Sequence, residues 1–124
     1  MKYKLSFSEI EQLSENIFEV VVKEGIVIDK NFTDEAWNFW DQLRDKPFGL
    51  LVNCKNKYSR SFEGALEIGK RHLQQKTAYL YNNDDHHSKE QLETTLKIIK
   101  LTNPSGNHEI FTDREEAIKW LSDI

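Results

Sequence analysis

What this chain has little of narrows the field first. It carries one cysteine, Cys54, in 124 residues, so no internal disulfide can form and the lone thiol suits a reducing compartment. Two prolines and five glycines set aside collagen-like and low-complexity architectures. No run of ~18 apolar residues occurs, so a membrane span is not expected. Met1 to Ile10 alternates polar and apolar residues and lacks the apolar stretch of a secretory signal, which makes the cytoplasm the expected address. Positive charge is scarce too. The formal net charge is −4 at pH 7, and the densest basic stretch is only Lys55, Lys57 and Arg60. Phosphate backbones are held by concentrated positive fields, so nucleic acid is not an expected partner. Gly-x-Gly-x-x-Gly, the Walker pattern and Gly-x-Ser-x-Gly are all absent, which sets aside the nucleotide-binding and hydrolase folds built on them.

What is present is an ordinary globular composition, 38% hydrophobic and 31% charged, in a length that suits a single domain over residues 1–124. Tyr3, Leu5 and Phe7 alternate with Lys2, Lys4 and Ser6, a period of two that predicts a half-exposed strand. The polar, glutamate-rich stretch from Ser8 to Asn16 reads as a loop or short turn. Ile17 to Lys23 is β-branched and aromatic and predicts a second strand, antiparallel to the first. Glu24-Gly25 punctuates it, and Ile26 to Ile28 extends it beyond a kink or bulge. Thr33 is placed to cap a helix, with Asp34 and Glu35 near its positive end. Phe32, Ala36, Trp40 and Leu43 form its inward stripe, Trp37 and Phe39 flank it, and Pro47 ends it. Phe48 to Asn53 is a short apolar run, as in a strand buried on both faces.

The second half repeats the alternation. Ser61 is placed as the N-cap of a helix whose face is Phe62, Ala65, Leu66, Gly69 and Leu73. Thr77 to Tyr81 is strand-like, and Asn82 to His87 is a polar loop. Ser88 with Gln91 forms a capping box before a helix that turns Leu92, Leu96 and Ile99 inward. Asn103 to Gly106 is a turn, His108 to Phe111 a last strand, and Thr112 with Glu115 a second capping box. Ala117, Ile118, Leu121 and Ile124 face inward on the closing helix, with Trp120 alongside. The order β-β-α-β-α-β-α-β-α predicts an α/β fold, a mixed, mainly parallel sheet covered by helices.

This order and several local stretches resemble the SpoIIAA-like branch of the STAS domains, and more closely the small stand-alone STAS-like bacterial proteins of unassigned role. The residues that carry the resemblance are Ile17 to Lys23, Gly25-Ile26-Val27-Ile28-Asp29, Phe48 to Asn53, the serine-capped helix that follows, and the run Glu109 to Leu121. Coverage is nearly the whole chain. In anti-sigma-factor antagonists of this type, a serine at the start of the helix after the third strand is phosphorylated and switches partner binding. Ser61 falls at that place, within Tyr58-Ser59-Arg60-Ser61-Phe62-Glu63-Gly64. Arg60 stands where the family has an acidic residue, and Phe62 where it has a second hydroxyl.

Two readings of Ser61 stay open: a plain cap, typically worth ~1 kcal/mol, and a phospho-switch in which helix amides and Arg60 receive the phosphate. Asn53, Tyr58, Ser59, Phe62, Tyr81 and Asn82 are expected near the carboxyl ends of the strands, where parallel α/β sheets hold ligands, and serve as a candidate partner or ligand surface. Asp84-Asp85-His86-His87 is the one dense group of metal-ligand types, but neighbouring loop residues cannot all face one ion, so it reads as a solvated turn. His72, late in its helix, reads as structural, and His108 opens a strand near a turn with no evident acid partner in the sequence. One of Trp37 and Phe39 is expected to be partly exposed, a candidate anchor for self-association. No metal, cofactor or catalytic residue is expected. The function expected is a non-enzymatic, regulatory or scaffolding domain that binds a protein partner or itself. The alternative is a binder of a small apolar or anionic ligand at the carboxyl edge of the sheet.

Overall fold

The computed structural model describes residues 2–43, 48–56, 58–61, 74–81, 86–102 and 107–123. Its strands are β1 (Lys2–Lys4), β2 (Ser8–Ser14), β3 (Ile17–Val22), β4 (Val27–Ile28), β5 (Phe48–Asn53), β6 (Ser59–Arg60), β7 (Gln74–Leu80) and β8 (Asn107–Phe111). The described helices are α1 (Lys30–Leu43), α2 (His86–Thr102) and α3 (Arg114–Leu121). The main sheet runs β1-β2-β3-β5-β7-β8. The β1–β2 and β2–β3 pairs are antiparallel, and β3, β5, β7 and β8 are parallel. The apolar run Phe48–Asn53 lies in the middle, as its composition requires.

Ser8 to Ser14 is a strand rather than the expected loop. Ser8 and Ile10 are buried while Glu9 and Glu11 are exposed, so the period is two after all; charged residues on an open face disguise it. The consequence is a corrected pairing. The Lys2 strand and the Ile17 strand are not partners but flank β2, with Tyr3 opposite Ile10 and Ile10 opposite Val20. The first strand also ends at Lys4, and Leu5 to Phe7 turn the chain, closed by the Leu5 N–H donating to the Ser8 carbonyl at 2.8 Å. After β3, Gly25 takes φ +79°, a left-handed conformation that suits glycine. The chain beyond it leaves the main sheet, and β4 pairs in parallel with β6 in a separate two-stranded ribbon.

Three of the four expected helix starts move; the helix that Ser61 was expected to cap lies outside the described residues. Asp29 caps α1: its Oδ1 accepts from the Phe32 N–H at 3.0 Å. Thr33 lies a turn inside, 2% exposed, with its hydroxyl donating to the Asp29 carbonyl at 2.9 Å. α2 starts at His86, so Ser88 lies within the helix rather than before it. Asp113, not Thr112, caps α3, accepting from the Glu115 and Glu116 N–H groups at 2.8 and 3.3 Å. At α3 the aspartate stood next to the threonine favoured by the spacing, and at α1 it stood four residues before it. The helix expected over 62–73, Pro47, and the turns at 82–85 and 103–106 lie outside the described residues.

The sheet has two unlike faces. On one, α1 buries Trp37 and Trp40 against Ile10, Phe18, Phe48 and Leu50, with the Trp40 ring 5.1 Å from Phe18 and 4.8 Å from Phe48. On the same face, Leu92 and Leu96 of α2 cover Val52 and Tyr79. Burial of side chains this large contributes roughly 1.5–3 kcal/mol each, which is why the tryptophans are core residues. Trp37 is therefore no interface anchor; Phe39 is half-buried, its ring 5.2 Å from Tyr3. The other face, reached by the alternate residues of each strand, has Ala117 and Leu121 of α3 on Ile17, Leu51 and Ala78. α3 has only eight residues, so over β1 and β2 that face carries charged side chains instead.

Candidate functional site

The residues marked out by the sequence gather only in part. Asn53 ends β5, and its amide donates to Glu19 Oε2 at 2.9 Å. The Tyr58 hydroxyl lies 3.7 Å from Cys54 Sγ, and its half-buried ring packs on both the Val52–Tyr79 and the Phe7–Val22–Ile28 groups. The stretch expected as a loop from Tyr58 onward is held as strand: the Ser59 N–H donates to the Ile26 carbonyl at 3.0 Å and the Ser61 N–H to the Ile28 carbonyl at 2.9 Å. Ser61 is half-buried directly after β6, which contains Ser59 and Arg60. Tyr81 follows β7, its N–H donating to the Phe111 carbonyl at 3.1 Å. Phe62 and Asn82 lie outside the described residues, as do Asp84 and Asp85. Among the described residues, no group of three or more His, Cys, Asp or Glu is placed to hold a metal ion. His108 is buried and stacked on Tyr79 at 6.3 Å.

Two features were not foreseen. The first is an ion pair. Glu19, 9% exposed, stands alone among the apolar side chains of β3. Arg114, the first residue of α3, grips it bidentately: Nη2 donates to Oε1 at 2.6 Å and Nη1 to Oε2 at 2.8 Å. These bonds hold the Glu19 carboxyl below the ordinary carboxylate range, against the opposing effect of burial and with help from Asn53, the Arg114 charge and Lys55. The same contact raises Arg114. A carboxylate so firmly ionised is a poor general base near neutrality, so the pair reads as a clamp. The shallow cleft beside it, about 490 Å³, mixes Lys2, Lys4 and Lys55 with Glu9 and Glu11 and has no single sign of charge. A lone glutamate in a β-branched strand was the available signal.

The second feature is a cavity of about 70 Å³ between the sheet and α1. Val20, Val22, Leu50 and Val52 line it from the sheet, and Ala36 and Trp37 from the helix. Leu5 and Phe7 join the lining from the β1–β2 turn. That turn is tied to α1: the Ser6 N–H donates to Glu35 Oε2 at 2.8 Å, the Ser6 hydroxyl donates to Glu35 Oε1, and the Phe7 ring lies 5.0 Å from Phe32. Lys23 Nζ donates to the Ser6 carbonyl at 3.1 Å. Among the described residues the lining has no charged side chain; its polar members are Ser8, Thr33, Thr77 and Tyr79. Val22, Val52 and Tyr79 lie toward the carboxyl ends of their strands, so the cavity sits beneath the edge where a ligand was expected, not on top of it.

An α/β domain with a central parallel strand, an antiparallel start and helices on both faces has the SpoIIAA-like fold. A solved structure with this fold matches along nearly its full length: an uncharacterised protein of the DUF3478 family from Shewanella loihica PV-4, described as having a SpoIIAA-like fold, with a TM-score of 0.57 and 16% identity over 98% of each chain. At that identity the likeness shows the fold alone. No protein-family model matches the sequence, and no curated protein matches it. Among the described residues, no helix is long and apolar enough to cross a membrane.

Proposed function

We propose that this chain is a non-enzymatic binding domain that holds a small, mainly apolar molecule between its sheet and α1. The carrying observation is the cavity of about 70 Å³ beneath the carboxyl half of the sheet, to which the described residues bring no charged side chain. Close-packed interiors leave few such spaces, and dry apolar ones take up apolar guests. Its size is roughly half that of the ~150 Å³ engineered cavity that binds benzene, so the guest, or the part of it held inside, has about three to five heavy atoms. The Glu19 carboxylate is tied in its ion pair on the other face, and this favours binding over catalysis.

The test is xenon, a probe for apolar cavities. Under xenon pressure, the methyl resonances of Val20, Val22, Leu50 and Val52 shift in a saturable way, and Ala36→Met, which fills the space, abolishes the shift while the protein stays folded. Unchanged methyl resonances in the wild type reject the reading. A second reading keeps the protein-partner role and assigns it to the β4–β6 ribbon, where Val27 is 54% exposed and pairs with Ser59, two residues before Ser61. It is favoured if Ser61→Asp changes the proteins captured from the native cell, and loses its footing if the two baits recover the same set.

A further inference from the structure

We infer that the molecule held in this cavity is neutral and carries one hydrogen-bonding group, a carbonyl or hydroxyl, which Ser8 Oγ anchors. The inference rests on the binding reading above and adds the chemical class of the ligand.

Ser8 opens β2 and shares its inward face with Ile10. It is 0% exposed, lines the cavity, and its hydroxyl has no hydrogen-bond partner. Its carbonyl is engaged, accepting from the Leu5 N–H at 2.8 Å, so the backbone is satisfied and the side chain is the part left over. A buried hydroxyl without a partner costs roughly 1–3 kcal/mol, and alanine would fill the same space without that cost. The serine is therefore explained by something that enters the cavity and bonds to it. The surroundings define what that is. Thr33 on the facing helix has already committed its hydroxyl to the Asp29 carbonyl at 2.9 Å. Among the described residues, no lysine, arginine or histidine lines the space, so a carboxylate or phosphate would meet no counter-charge from them, which is strongly unfavourable. The remaining class is a short apolar body with a single neutral polar group. A hydroxyl can donate or accept, so it serves a ketone, an aldehyde or an alcohol equally.

Acetone and 2-propanol are the probes, isobutane is the isostere without a polar group, and acetate is the charged control. Each is titrated against the wild type, Ser8→Ala and the near-isosteric Ser8→Cys, following the methyl resonances of the lining. Ser8→Ala is expected to weaken acetone and 2-propanol about five- to tenfold, the range of one net hydrogen bond, and to leave isobutane and xenon within about twofold. Acetate is not expected to bind. Equal weakening of all probes, or of none, overturns the anchor while xenon uptake leaves the cavity reading standing; in the second case a buried water satisfies the serine. Acetate binding as tightly as acetone overturns the ligand class. If neither xenon nor any probe enters, the binding reading itself is wrong and the inference falls with it.

Discussion

Arg114→Ala tests whether the ion pair on the second face is a clamp. The substitution removes two charge-assisted bonds of 2.6 and 2.8 Å and leaves Glu19 with the Asn53 hydrogen bond and the Lys55 charge. Breaking a fully buried pair costs roughly 3–5 kcal/mol because a charge is stranded. Here Glu19 is deeply placed but the Arg114 side chain is 44% exposed, so water already screens one partner. The expected loss is therefore about 2 kcal/mol at pH 7, or roughly 8 °C for a domain of this size. The pH dependence carries a definite sign. The Glu19 pKa is depressed in the folded state, so its contribution is fully present above the unfolded value near 4.5 and is lost as pH falls through the folded value. The gap between wild type and Arg114→Ala in urea midpoints should thus be widest near pH 7 and narrow steadily below about pH 4. A variant that unfolds at the wild-type midpoint at pH 7, or a gap that persists unchanged into acid, would refute the clamp.

Removing either cap, Asp29→Ala or Asp113→Ala, should cost about 1 kcal/mol in urea unfolding, whereas Thr112→Ala should be nearly silent because Thr112 caps nothing. Lys76 Nζ donates to the carbonyls of Trp120 and Asp123 at 2.9 and 3.2 Å, so Lys76→Met should lose about 1 kcal/mol, with amide exchange accelerated first at residues 120–123. A Cβ on Gly25 meets no atom within 4 Å, so Gly25→Ala should lose roughly 1–2 kcal/mol from its positive φ alone, and Gly25→Asn clearly less. Equal losses for the two would mean that φ is not the cause.

The fold was legible wherever apolar residues carried the period. Phe48 to Asn53 announced a central strand, and Leu92 with Leu96 and Ala117 with Leu121 announced the inner faces of two helices, because burial on one side alone dictates those choices. What escaped was built from polar residues. β2 looked like a loop because its outward residues are glutamates, and those glutamates are tolerable because Glu9 and Glu11 sit opposite Lys4 and Lys2 on β1. That pairing is a long-range fact that no local window contains. The caps failed more narrowly, by one residue at α3 and by four at α1, since aspartate, serine and threonine compete for the same amides.

The candidate site was hidden for a related reason. Nothing about Ser8 in the sequence separates a solvated turn serine from a buried hydroxyl lining a mainly apolar space; only placing it in a strand turns it inward. The same correction accounts for Glu19. Once β2 is a strand, β3 gains a neighbour on each side, and Glu19 must lie on the face opposite Phe18, at the border of what α3 can cover. An eight-residue helix spans roughly 12 Å, too little for a sheet of six strands spaced ~4.8 Å apart. Arg114 at the border, at the end of the helix where a carboxylate is favoured, and Lys76 at the other end fix a helix too short to hold its place by burial alone. Charge thus secures one face of the sheet, and the other is held mainly by apolar contacts around the space proposed above for a neutral guest.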